Sequence, residues 1–144
     1  MKLGIVVSSF NSAVTDALLE GALRAVEEKG LRCGKGDVVH VPGAFELPLL
    51  AQTMARKGCY DGLVCLGAVI RGETPHFDHV CTQAAAGIRR VALDENIPVA
   101  FGVLTTDNLE QALARAGGDV GNKGYEAVVS VVDTVNALAR VRKA

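Results

Sequence analysis

Tryptophan is absent from the 144 residues, and the aromatic complement stops at four phenylalanines and two tyrosines. A core built on stacked aromatics is therefore excluded, and a phenylalanine that falls in a loop becomes informative by its position. Charge of either sign is not in excess, since 15 Lys and Arg face 16 Asp and Glu for a net charge of −1. That balance argues against nucleic acid or an anionic membrane as the main partner. The longest apolar run, Gly62 to Ile70, is far short of the roughly 20 residues that cross a bilayer. The apolar stretch from Leu3 to Val7 is likewise too short for a secretory leader. Four cysteines, Cys33, Cys59, Cys65 and Cys81, form neither a CxxC pair nor a metal-type spacing. Cys65, inside the apolar run, reads as a buried reduced thiol. Neither a Walker pattern nor GxGxxG occurs, so nucleoside triphosphates and dinucleotides are not indicated. These absences lead to the expectation of a soluble, cytoplasmic protein.

What is abundant is apolar. Hydrophobic residues make up 49% before the 16 glycines are counted, and charged residues only 22%. With glycine included, the usual share is roughly 45–50%. A chain this short has too little interior for the excess, and a subunit interface removes apolar surface from water just as a core does. Homo-oligomerisation is the economical expectation.

Strand and helix patterns alternate. Leu3 to Val7 reads as a buried strand, and Ser12 to Lys29 as a helix with Val14, Leu18, Ala22 and Ala25 on one stripe and Gly30 at its stop. Asp37 to Val41 is a second strand, closed by Pro42-Gly43. Glu46 to Lys57 reads as a helix that tolerates Pro48 in its first turn. Leu63 to Ile70 has the unbroken β-branched character of a strand covered on both faces. His76 to Glu95 is helical and Val99 to Leu104 a fourth strand. Asp107 opens a helix with Glu110 in capping-box position, stopped by Gly117-Gly118. Gly124 to Arg142 is the last helix, with Arg140, Arg142 and Lys143 at its negative end. The alternation predicts one α/β domain: a four-stranded parallel sheet with helices on both faces.

In such a sheet ligands bind beyond the carboxyl ends of the strands. Those ends carry Ser9-Phe10-Asn11, then Gly43-Ala44-Phe45-Glu46, then Arg71-Gly72-Glu73-Thr74-Pro75-His76. Gly72 to Thr74 precede a helix, where free amides and the positive helix end suit a phosphate. The plainer reading is a capped helix start with Thr74 as the cap. His76 reads either as a general acid/base at a pocket mouth or as a solvated helix-start residue. His79 lies one turn on, but Cys81 and Asp78 are off the shared face, so no metal is expected. Phe10 and Phe45 could stack on a flat heterocycle or pack in the core. Glu46 could steady a helix start or accept from ligand hydroxyls. His40, within the second strand, reads as a packed or edge histidine. Arg115 ends a helix where a cation is structurally favourable. Gly121-Asn122-Lys123-Gly124-Tyr125-Glu126 is unusually charged for a connector.

Together these segments resemble the 6,7-dimethyl-8-ribityllumazine synthase family. The matching strings are Ser9-Phe10-Asn11, Val41 to Pro48, Gly67 to Asp78, Phe101 to Thr105, Glu110-Gln111-Ala112, Arg115-Ala116-Gly117 and Gly121 to Gly124. They run in family order from about Leu3 to the C-terminus, and the block from Arg71 to Asp78 is the most specific. The resemblance implies a flavodoxin-like three-layer αβα sandwich and an enzyme of riboflavin biosynthesis. Its substrates would be 5-amino-6-(ribitylamino)pyrimidine-2,4-dione and 3,4-dihydroxy-2-butanone 4-phosphate, joined without metal or cofactor. It implies His76 as acid/base, with Arg115 and Lys123 completing the catalytic set. Arg115 and the backbone of Gly72, Glu73 and Thr74 would hold phosphate, and Phe10 would stack on the pyrimidine beside Asn11. Ala44 and Glu46 would hold the ribityl chain, with Gly43 and Phe45 also among the substrate-binding residues; Val69 and Ile70 would contact the ring through their backbone, and Phe101 and Glu126 would complete the site.

The resemblance further implies a homopentamer whose sites lie between subunits, with Phe101, Arg115 and Lys123 supplied by the adjacent copy. Many relatives carry a further strand before the first. Without it, a free pentamer, a decamer and a sixty-subunit icosahedral shell all stay open, as does association with riboflavin synthase. The sequence departs from many relatives at Ser9, where Arg is common, and at His79, where Tyr is common. Glu73, a carboxylate beside a phosphate site, is expected to face solvent. The competing readings are a flavin- or lumazine-binding paralogue without catalysis, a shell-forming protein, and a generic phosphate-binding domain.

Overall fold

The computed structural model describes residues 1–144. Four strands, β1 (Leu3–Ser8), β2 (Val38–Val41), β3 (Gly62–Ile70) and β4 (Val99–Thr106), form one parallel sheet in the order β2-β1-β3-β4. The order reverses between β1 and β3, so a crevice is expected at the carboxyl ends of those two strands. Helices α1 (Ser12–Glu28) and α5 (Lys123–Lys143), with the short α4 (Leu109–Ala114), cover one face of the sheet. Helices α2 (Leu47–Arg56) and α3 (His76–Glu95) cover the other.

Alternation along β1 explains the two layers. Leu3, Ile5 and Val7 point to the α1/α5 core, with Val14, Leu18 and Val128. Val6 points to the α2/α3 core, with Leu47, Ala51, Ile88 and Val91. The expected α/β class, parallel sheet and two-sided cover are present. Cys65 is buried and free, and burial pushes its thiol up to about 12. Burial, then the nearby Asp37, pushes Cys33 to about 11. No helix is long and apolar enough to cross a membrane.

Beyond shifts of one or two residues at element ends, three features differ from the sequence reading. Glu46 does not start α2; it ends a 3-10 turn, Ala44–Glu46, whose geometry its own carboxylate fixes by accepting from the Gly43 amide at 2.9 Å. Helix α4 is capped by Asn108 rather than Asp107. Asn108 Oδ1 accepts from Gln111 N at 2.9 Å, and Gln111 Oε1 accepts from Asp107 N at 2.8 Å. The reciprocal pair is therefore built on Gln111, not Glu110, because the Asp107 side chain is bonded to Arg71. Finally, the glycines after α4 do more than stop it: Ala116–Gly118 (β5) and Gly121–Asn122 (β6) pair as a small antiparallel hairpin.

The buried hydroxyl of Thr15, on α1, has no hydrogen-bond partner. An unmet buried polar group destabilises by about 1–3 kcal/mol, so the near-isosteric Thr15→Val is expected to stabilise the fold by about 1 kcal/mol. Urea unfolding should show a higher midpoint at unchanged slope. A lower midpoint would mean that the hydroxyl is partnered after all.

Candidate active site

A cavity of about 540 Å³ opens where the strand order reverses, and its lining comes from the loops after β1, β2 and β3 and from the start of α3. Its size falls within the roughly 300–1,000 Å³ usual for small-molecule sites. The three strand ends singled out in the sequence thus meet in one place. Phe10, Asn11, Gly43, Ala44, Phe45, Glu46, Val69, Ile70, Gly72, Thr74 and His76 all line it.

The first wall is held by backbone bonds between loops. Ser9 N donates to Val41 O and Phe10 N to Pro42 O, fixing the ends of β1 and β2 together. Asn11 adopts the left-handed conformation (φ 62°, ψ 50°) at the N-cap of α1, yet its side chain caps nothing. Instead Nδ2 donates to Ala68 O at 3.0 Å, bracing the loop against β3. With that brace in place the Phe10 ring stands 71% exposed at the cavity, and Phe45 is 57% exposed. Packing of either ring in the core is thereby ruled out. Glu46 also faces the cavity; Gly43 occupies Oε1, and no other bond within the chain engages the carboxylate.

The second wall is rich in donors. The amides of Gly72, Glu73, Thr74 and Phe77 donate to no acceptor within the chain, and the positive end of the 20-residue α3 lies at the cavity, where His76 and Phe77 form part of the wall. Thr74 Oγ1 accepts from His76 N at a long 3.4 Å, so it is a weak cap, and Pro75 occupies the N-cap position. A Cβ on Gly72 would meet no atom within 4 Å, and its φ is not in the left-handed region. Neither space nor strain within the chain requires glycine there, whereas close approach of a ligand to the backbone would. Glu73 is exposed and does not line the cavity.

Ala68, Phe77, His79 and Val80 also line the cavity and were missed as site residues. His79 was legible, since it stands three residues after His76 on the same helical face. Arg71, just outside, lies over the Phe77 ring at 4.4 Å from its centroid. Arg71 Nε donates to Asp107 Oδ1 at 2.9 Å, and Nη1 is 3.8 Å from Asp78 Oδ1. The Asp107 bond, foremost, raises the Arg71 pKa above its ordinary value. Burial first, then Asp78, raises that of Cys81. No three His, Cys, Asp or Glu side chains converge as a metal site requires.

Four further residues lie away from the cavity of their own chain. Arg115 and Lys123 are neighbours, with Lys123 N donating to Arg115 O at 2.8 Å across the base of the hairpin. Asn122 caps α5 through Tyr125 N and donates to Ala17 O of α1, so Lys123 is set by a cap anchored on another helix. Glu126 follows in the first turn of α5, on a shallow groove with Tyr125, Val129 and Asp133. Phe101, on the edge strand β4, is 38% exposed beside Ile88, Arg89 and Leu93 of α3. One chain therefore presents a cavity and, separately, a cationic pair and an edge aromatic.

Compared with known families, the sequence model described as 6,7-dimethyl-8-ribityllumazine synthase matches residues 1–139.

Proposed function

Because the chain belongs to the 6,7-dimethyl-8-ribityllumazine synthase family, a family of transferases in riboflavin biosynthesis, we propose that it joins 5-amino-6-(ribitylamino)pyrimidine-2,4-dione to 3,4-dihydroxy-2-butanone 4-phosphate. The amine attacks the carbonyl and water leaves; phosphate is then eliminated, and ring closure with loss of water gives the lumazine. The steps need proton transfer, a phosphate clamp and a stacking surface, all of which side chains and amides can provide.

The carrying observation is the cavity that gathers an exposed Phe10 ring, unengaged amides at Gly72 to Thr74, and His76. In this reading phosphate takes the amides, the pyrimidine stacks on Phe10 with Val69 and Ile70 along its edge, and the ribityl hydroxyls meet Glu46 and the Gly43–Phe45 turn. His76, at the phosphate end, transfers protons. Arg115, Lys123, Phe101 and Glu126 lie elsewhere on the chain, which favours their delivery to a neighbour's cavity within a cytoplasmic homopentamer. Leu109, Leu113 and Val120, exposed on α4 and the hairpin, supply apolar surface for such a contact.

Mixing the two substrates with purified protein in the absence of metal should form the lumazine, followed by its absorbance and fluorescence. No product at high enzyme concentration would reject the activity. For the shared site, Phe10→Ala and Arg115→Ala subunits mixed in equal amounts should regain roughly a quarter of wild-type activity, since random neighbours leave one site in four intact. No recovery, with mixing verified, would reject the shared arrangement.

A further inference from the structure

We infer that Arg71 is a positioning residue, which holds the phosphate-binding turn in register with the end of β4 by stacking on Phe77 and pairing with Asp107. The inference rests on the reading above. Between Ile70 and His76 the chain is exposed throughout, and its amides at Gly72 to Thr74 are unengaged. A turn that must present amides to a ligand cannot use them for its own rigidity, so its ends have to be fixed by other means. Arg71 fixes both. Its backbone N donates to Thr106 O at 2.8 Å, at the end of β4. Its side chain spans from the Phe77 ring, one residue beyond His76, to Asp107, one residue beyond β4.

Asp107 is itself immobilised. Its amide donates to Gln111 Oε1, and Asn108 next to it caps α4. The brace thus ends on a helix start rather than on a loose side chain. Phe77 is 9% exposed and lines the cavity, so displacement of its ring would be felt at His76 and at the amides. Arg71 is not a phosphate ligand in this arrangement. Its Nε is engaged by Asp107, its Nη1 lies toward Asp78, and the residue is absent from the cavity wall.

Charge adds to the same effect. Asp78 and Asp107 bring two carboxylates near an anion site, and Arg71 compensates them. Lysine keeps the charge but has neither the planar fork nor the stacking face. The two contributions therefore separate by substitution.

The test measures the apparent KM for the butanone phosphate, and the Kd for inorganic phosphate by calorimetry, in the wild type, Arg71→Ala, Arg71→Lys, Asp107→Asn and the Arg71→Ala/Asp107→Asn double variant. Both constants should rise about tenfold in Arg71→Ala, equivalent to about 1.4 kcal/mol, with kcat changed much less. Arg71→Lys should recover little of this. Asp107→Asn should shift both constants in the same direction, and the double variant should be no worse than Arg71→Ala, because Asp107 acts through Arg71. Unchanged constants in Arg71→Ala, full recovery by lysine, or additive losses in the double variant would each overturn the inference. If Arg71→Ala does not fold, Asp107→Asn decides by the same two constants. A wild type that binds phosphate without forming lumazine rejects the proposed reaction, while the phosphate Kd series still decides the role of Arg71. A wild type that binds no phosphate overturns the inference.

Discussion

His76→Ala is expected to lower kcat about a hundredfold, near the low end of what a positioned acid/base contributes, while KM for either substrate moves far less. Water that enters the cavity with the substrates can replace part of the imidazole's proton transfer; a site that excludes water would lose more. His76→Asn, which still hydrogen-bonds but exchanges no proton, should be as slow as the alanine variant. The cavity wall opened by His76→Ala also leaves a path for small bases, so imidazole added to the buffer should restore part of the rate. Equal losses in kcat and in binding, or near-normal turnover in His76→Asn, would remove His76 from proton transfer and leave it a binding role.

The same residue shows how much of the site is legible in the sequence. Helix α3 runs from His76 to Glu95, as its apolar spacing and the preceding Thr-Pro indicate, and β3 was evident from an unbroken apolar run. The three loops just beyond the strand ends share one cavity, as the parallel sheet requires. The errors have a common physical origin, which is a side chain or short segment claimed by a specific contact that periodicity does not encode. Asp107 has the chemistry of a helix cap, but Arg71, 36 positions earlier, takes its carboxylate, and the cap passes to Asn108. Glu46 follows the pattern of a first helical residue until its carboxylate closes on the Gly43 amide. The β5–β6 hairpin is too short for any periodicity to announce it. Phe77, which the sequence did not single out, is nearly buried and still forms cavity wall. Phe10 and Phe45 were ambiguous for the opposite reason: residue type gave packing as the usual fate, and exposure decides against it.

The largest stability effect is expected from a single methyl group at Gly124. This glycine is buried in the first turn of α5, where an added Cβ would fall on the Leu18 carbonyl of α1. Both sides of that contact are helix backbone, so no side chain can rotate aside, and the helices must move apart. Helix propensity alone makes alanine better than glycine by about 1 kcal/mol. Overpacking against rigid backbone acts the other way, with about 3 kcal/mol as a reasonable upper magnitude. Steric cost wins, and Gly124→Ala is expected to destabilise the fold by up to about 2 kcal/mol. Gly72→Ala, whose Cβ would meet open space, should leave stability within about 0.5 kcal/mol and so controls for the substitution itself. The displacement also has a functional direction. Asn122, which caps α5, is fastened to Ala17 O, and its amide group would meet a Cβ at Gly21. Moving α5 away from α1 therefore loosens Asn122 and, with it, Lys123 and the bond to Arg115 O. Urea unfolding at one fixed protein concentration, needed because subunit association adds to apparent stability, checks the first part. A Gly124→Ala midpoint equal to or above that of the wild type would show that α1 and α5 can separate at no cost, and that the close helix contact does not set the position of Lys123.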